Sequence, residues 1–262
     1  MKYSIYLSCL IFMMASCSQK KAETTEEVVE TYENAPAEGF DVVGSDAQAI
    51  VIADKVMEAM GGRKAWDETR YLFWNFFGAR TLLWDKWTGD VRVEYLKRDL
   101  KIIVNIHDLK GKVWKDGSEE TNADSLNFYL DRGKRNWIND SYWLVMPFKL
   151  KDSGVTLAYI GEDTTLVGQQ SYMLELTFQD VGVTPENYYE VWVDQESNLV
   201  NQWAFYRNHA VPEANFTRPW GDYKKYGKIL LSSDRGQRDL SDIKVMESVP
   251  EHTFKAFDPV VL

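Results

Sequence analysis

In the run LKIIVNIHD, residues 100–108, Leu100, Ile102, Val104 and Ile106 alternate with Lys101, Ile103, Asn105 and His107. Successive side chains of a strand point to opposite faces, so a period of two commits this segment to a strand with one buried face. SYMLELTF repeats the pattern with Tyr172, Leu174, Leu176 and Phe178. Shorter runs of the same kind occur at 70–77, 80–87, 91–96, 155–160, 188–193, 199–207, 222–231 and 243–249. Turn residues divide them, among them Thr88-Gly89-Asp90, Asp116-Gly117 and the DQESN loop at 194–198. These connections are too short for parallel crossovers. The spacing therefore predicts a sequential antiparallel meander of about nine to eleven strands.

Two segments break the period. Ser45-Asp46-Ala47-Gln48 offers a capping box, after which Ala49, Ile52, Ala53, Val56 and Met60 follow at helical spacing, and Gly61-Gly62 supplies a left-handed stop. Residues 122–146 form the second interruption. Asn122 or Asp124 can cap a helical piece through SLNFYLDRG, and a further piece runs to Met146 before Pro147. This insertion has Leu126, Tyr129, Leu130, Trp137, Trp143 and Leu144 to bury, so it is expected to lie across the mouth or concave face of the sheet. The predicted fold class is mainly β, α+β: a large curled antiparallel sheet, an incomplete barrel, covering an N-terminal helix and a mid-chain helical insertion. Aromatic residues make up 14% of the chain and include ten Trp, an inventory that must be concentrated on one side of such a sheet.

The N-terminus constrains location. Lys2 precedes an apolar run from Ile5 to Ala15, the length of a signal-peptide core and too short to span a bilayer. Ala15 and Ser16 are small residues directly before Cys17, and the stretch MASC resembles a bacterial lipobox, with Met14 where Leu is usual. The other Cys of the chain, Cys9, lies inside the signal, which leaves Cys17 without an intramolecular partner. Residues 1–16 are thus expected to be a lipoprotein signal peptide and Cys17 the site of lipid attachment. Ser18 in place of Asp directs the expectation to the outer membrane of a bacterial envelope, facing the periplasm. From there to residue 43 the chain is rich in Glu, Thr, Ala and Pro, and is expected to be an acidic disordered tether, 17–43, followed by a folded domain, 44–262. Removing the signal leaves a net charge of about −11, which excludes nucleic acid as a natural partner and leaves the acyl anchor as the means of membrane attachment.

The organisation resembles the LolA-like family of bacterial lipoprotein carriers and their anchored Bacteroidetes-type relatives. The matching pieces are the first helix ending in MGG, the hairpin LLWDKWTGDVRVEY, the stretch GKVWKDG, the helical insertion with WLVMPFKLKDSGV after it, and the late hairpin YYEVWVDQESNLVNQWAFY. The resemblance covers about residues 45–262 and implies an incomplete barrel around helices whose aromatic interior receives acyl chains. Soluble carriers of the family have an Arg after the early Trp strand; here the nearest positions are Lys86 and Trp87, and a tethered chain cannot shuttle between membranes.

Trp84, Tyr95, Trp114, Trp143, Phe148, Tyr172 and Trp203 are the candidate pocket liners, since apolar pockets with a few polar groups are the usual form of lipid sites. Catalysis finds little support. His107, His209 and His252 lack metal-ligand spacing, no Gly-x-Ser-x-Gly elbow or phosphate loop occurs, and neither a metal nor a cofactor is expected. A carboxylate pair for glycoside hydrolysis, drawn from distant strands, is the enzymatic alternative. The expected function is binding of acyl chains or another hydrophobic ligand, in lipoprotein or lipid handling or sensing, with other envelope lipoproteins as candidate partners. A carbohydrate-binding or scaffold lipoprotein is the alternative, and would carry its aromatics on an exposed exterior.

Overall fold

The computed structural model describes residues 34–179, 184 and 186–260. Cys17, the signal segment and the tether up to residue 33 lie outside them. The tether was expected to run to Val43, but residues 34–43 pack on the domain. Ala37 N–H donates to the Lys151 carbonyl and Asp41 N–H to that of Val155, and Phe40 is 7% exposed within the core. Phe40 is the one buried side chain of residues 34–43.

Helix α1, Ala47–Ala59, buries Ala49, Ile52, Ala53, Val56 and Met57. The expected capping box does not form. Ser45 Oγ and Asp46 Oδ2 instead accept from the backbone N–H groups of Leu157 and Tyr159, which ties the helix entry to a later strand. At the other end Gly61 and Gly62 adopt φ of 115° and 87°. A Cβ on Gly61 would stand 2.5 Å from the Lys228 carbonyl oxygen, so the stop also admits a close backbone approach. A short helix, α2 (Arg63–Glu68), follows.

All sheet ladders are antiparallel, but fourteen strands form among the described residues rather than nine to eleven. Seven belong to one sheet: β1 (Tyr71–Phe76), β2 (Arg80–Asp85), β3 (Asp90–Tyr95), β4 (Leu100–Asn105), β5 (Gly111–Lys115), β6 (Ser118–Glu119) and, beyond β1, β14 (Leu240–Met246). Five form a second: β7 (Val155–Thr164), β8 (Gln170–Phe178), β9 (Tyr188–Asp194), β10 (Val200–Tyr206) and β11 (Phe216–Pro219). The run expected as one strand at 222–231 is a hairpin, β12 (Gly221–Tyr226) and β13 (Ile229–Asp234), because Gly227 turns the chain at φ 58°. The hairpin lies between the sheets: β12 meets β10 and β13 meets β14. The sheets curl without closing.

The insertion is one continuous helix, α3 (Ala123–Val145), not two pieces. Asn122 caps it by accepting from Ser125 N–H at 3.0 Å. A 3-10 turn, Met146–Lys149, ends it around Pro147. Gly133 lets α3 lie directly on β4, since a Cβ there would stand 2.7 Å from Ile102 Cγ2. The inner face of the larger sheet reads Trp74, Leu82, Val93, Ile102 and Val113 in one cross-strand row, every one fully buried. Covalent order and burial thus agree on α3 as the cover of the concave side.

Candidate functional site

The second sheet carries its own row. Leu157, Leu176, Tyr189, Phe205 and Phe216 lie directly opposite one another across β7 to β11, and Leu174, Val191 and Trp203 form the next row. Directly opposed residues share a face, so the register turns a series of separate strands into an aromatic floor. α3 passes over it and contributes Tyr142 and Trp143. Between helix and floor is a cavity of about 480 Å³, also bounded by Phe178, Val155, Asn139, Asn187, Lys149 and Asp152. That volume is within the ordinary range of small-molecule sites.

The rings are mutually fixed. Trp203 stacks on Tyr189 at 5.2 Å with the planes 4° apart, and Trp143 stacks on Phe216 at 5.3 Å. Phe205 and Phe216 stack at 5.4 Å, while Tyr142 reaches Tyr189 at 5.2 Å. Offset and edge-to-face contacts of this kind contribute about 0.5–1.5 kcal/mol each beyond area burial, which favours a preformed wall. Burial pushes the Tyr189 phenol up to about 12 and the Tyr142 phenol well above its usual value, so both line the cavity as neutral groups.

Arg235, fully buried, holds Trp143 in place from behind. Its Nη2 and Nε donate to the Trp143 carbonyl at 2.7 and 3.2 Å, and its guanidinium lies 3.6 Å from the Trp220 ring centroid. Burial pulls its pKa down to about 9. Trp220 in turn meets Trp203 edge-on at 5.2 Å, so one cation braces a Trp on each side of the cavity.

Of the seven candidate liners, the structure brings Trp143 and Trp203 together at the cavity. Trp84 is core, edge-on to Trp137 at 5.2 Å, and Phe148 is core, stacked on Trp66 at 4.3 Å. Tyr172 lies beside Tyr159, away from the cavity. Trp114 pairs across the ladder with Lys101 and so faces outward, where its indole N–H donates to Asp99 and its ring meets Phe257. Tyr95 lies at the rim of the larger sheet in a different, basic concavity. Trp137, Tyr142, Phe178, Tyr189, Phe205 and Phe216 were missed. For Tyr189 the signal was present in YYEVWVD, whose alternation assigns Tyr189, Val191 and Val193 to one face.

Among the described residues no group of three or more His, Cys, Asp or Glu is placed to hold a metal ion, and no helix is long and apolar enough to cross a membrane.

No family model and no curated protein matches the chain. Among solved structures it is similar to a LolA-superfamily protein from Nitrosomonas europaea, with 14% identity over 79% of this chain and 97% of that one and a TM-score of 0.38. It is similar too to a DUF1329-family protein from Desulfovibrio piger, with 12% identity, the same two coverages and a TM-score of 0.43. MucB in complex with MucA gives 13% identity over 82% of this chain and 62% of that one, with a TM-score of 0.24. At these values the likenesses carry no argument about activity.

Proposed function

We propose that this chain is a lipid-anchored envelope protein of LolA-like form that holds an acyl chain, or a hydrophobic ligand of similar shape, in the cavity between α3 and the floor of β7 to β11. One observation carries the proposal: three Trp, two Tyr and three Phe, Trp137, Trp143, Trp203, Tyr142, Tyr189, Phe178, Phe205 and Phe216, wall a single cavity of about 480 Å³. Asn139, Asn187, Lys149 and Asp152 are among its polar groups, an apolar body with polar anchors being what a long-chain ligand requires. Cys17 would fix the protein at the outer membrane, and the bound chain would then be accepted, held or sensed there rather than carried between membranes.

The carbohydrate alternative needs open ring faces on the exterior. Tyr188, Tyr206 and His209 do stack on the outer face of the second sheet, but Tyr188 and Tyr206 are only 7% and 9% exposed. That stack offers little ring surface for a sugar; the exposed rings of Trp87 and Phe128 lie outside it.

Titrating the delipidated protein with saturated acyl chains of increasing length, followed by Trp fluorescence, tests the proposal. Each added pair of methylenes should tighten binding by about 1.6 kcal/mol, more than tenfold, until the cavity is full. An affinity independent of chain length would overturn it.

A further inference from the structure

A second concavity lies at the rim of the larger sheet and is lined by five cations in a chain of net charge −10. Phe76, Arg80 and Tyr95 occupy one inner-face row there, at the ends of β1, β2 and β3. Over this row α3 aligns Arg132, Asn136 and Asp140, four residues apart and therefore on one helical face. Asp140, completely buried, takes two hydrogen bonds from Arg80 at 2.5 and 2.6 Å, so that cation is already neutralised. Arg132 Nε and Asn136 Nδ2 both donate to the Tyr95 hydroxyl oxygen, at 3.1 and 2.5 Å. With its oxygen accepting twice, Tyr95 still has its own proton to donate.

The Tyr95 ring is also near two guanidinium groups, 5.8 Å from Arg80 and 5.5 Å from Arg132. Around it, Lys97, Arg98 and Arg238 are exposed, and among the described residues no carboxylate pairs with them. Four cations thus converge with no acidic partner while acidic residues outnumber basic ones across the chain. Such clustering is electrostatically unfavourable unless an anion joins it.

The near wall is Phe77, in the β1–β2 turn. It adopts φ 54°, followed by Gly78 at 66°, a conformation costly for a bulky residue. This turn sets the Phe77 ring edge-on to Trp143 at 5.3 Å. Trp143 lines the apolar cavity and Phe77 the basic concavity, so one pair of contacting rings has a member in each wall.

We infer that the basic concavity binds a phosphoryl-type anion, with Arg98, Arg132, Arg238 and Lys97 as the charged contacts and the Tyr95 hydroxyl as a neutral donor. Guanidinium forks match phosphoryl oxygens in geometry as well as charge. The anion is either free phosphate or the headgroup of an amphiphile whose chain enters the neighbouring cavity; only the headgroup form rests on the acyl-binding proposal above.

Three probes separate these sources: inorganic phosphate, 1-lauroylglycerol, and 1-lauroylglycerol 3-phosphate, each titrated below micelle formation at low ionic strength. The headgroup form expects the phosphorylated lipid to bind about tenfold tighter than its neutral counterpart. Arg98→Gln combined with Arg238→Gln should abolish that gain, as should about 1 M salt, where the Debye length shrinks to about 3 Å. Both side chains are exposed, so the double variant should fold, which circular dichroism verifies. The free-anion form expects inorganic phosphate to bind, the double variant to remove that binding, and the two lipids to bind equally. If phosphate does not bind and the lipids bind equally, or if either effect survives the double variant, the inference is overturned. Binding of 1-lauroylglycerol itself reads the apolar cavity independently, so failure of one proposal is distinguishable from failure of the other.

Discussion

Trp143 of α3 and Trp203 of β10 meet edge to face, with ring centroids 4.7 Å apart and planes at 88°. The contact joins the helix that covers the concave side to the sheet beneath it, and both rings line the same cavity. A ligand in this cavity would therefore touch the same pair that holds the helix to the sheet.

Trp203 is 1% exposed, and truncating a buried Trp costs about 3–5 kcal/mol. Trp203→Ala should lower the midpoint of chemical denaturation accordingly. Phe205→Leu, which keeps most of the apolar volume, should retain the fold and weaken acyl binding. Equal stability of Trp203→Ala and the wild type would contradict the packing described.

Lys86 gives a pH-dependent readout. Its ammonium lies 4.5 Å from the Trp66 ring centroid, and burial lowers its pKa from 10.5 to about 8, against a smaller opposing pull from Asp67. Between those values the unfolded chain binds more protons than the folded one, so stability rises with pH. The gain should be complete above pH 10.5 and lost as pH falls through about 8. Lys86→Met should flatten this part of the stability profile relative to wild type; an unchanged slope would show that another group is responsible.

Cys17→Ala should move the protein from the membrane fraction to the soluble periplasmic fraction. Retention of the variant on membranes washed with about 1 M salt, where the Debye length is near 3 Å, would sink the anchoring proposal.

The strands were legible wherever one face is buried. β4 and β8 were evident because Leu100, Ile102, Val104 and Leu174, Leu176 repeat at period two. β12 was not separable from β13, since Lys224, Lys225 and Tyr226 carry no alternation and the turn depends on the backbone at Gly227. The capping box at Ser45 looked sound locally, yet the unpaired N–H groups of Leu157 and Tyr159 took both side chains. That competition is between residues over a hundred positions apart.

The candidate site was legible in part for a similar reason. Trp143 and Trp203 could be named from size and from their places in the helical insertion and in a strand. Phe205 and Phe216 become neighbours only through the register of β10 on β11, and Trp114 points outward only because it opposes Lys101. A shift of one residue in either ladder would exchange the faces, and short strands do not encode that register in their own residues. The basic concavity was invisible because Arg80, Arg98, Arg132 and Arg238 are gathered from β2, a hairpin, α3 and a late loop.

A crystal structure of the protein with a saturated acyl chain brominated at its end tests the central claim most directly. The expected result is an anomalous bromine peak inside the cavity, within van der Waals reach of the rings of Trp143, Phe205 or Phe216. A peak elsewhere on the protein, with that cavity holding only water, would contradict it.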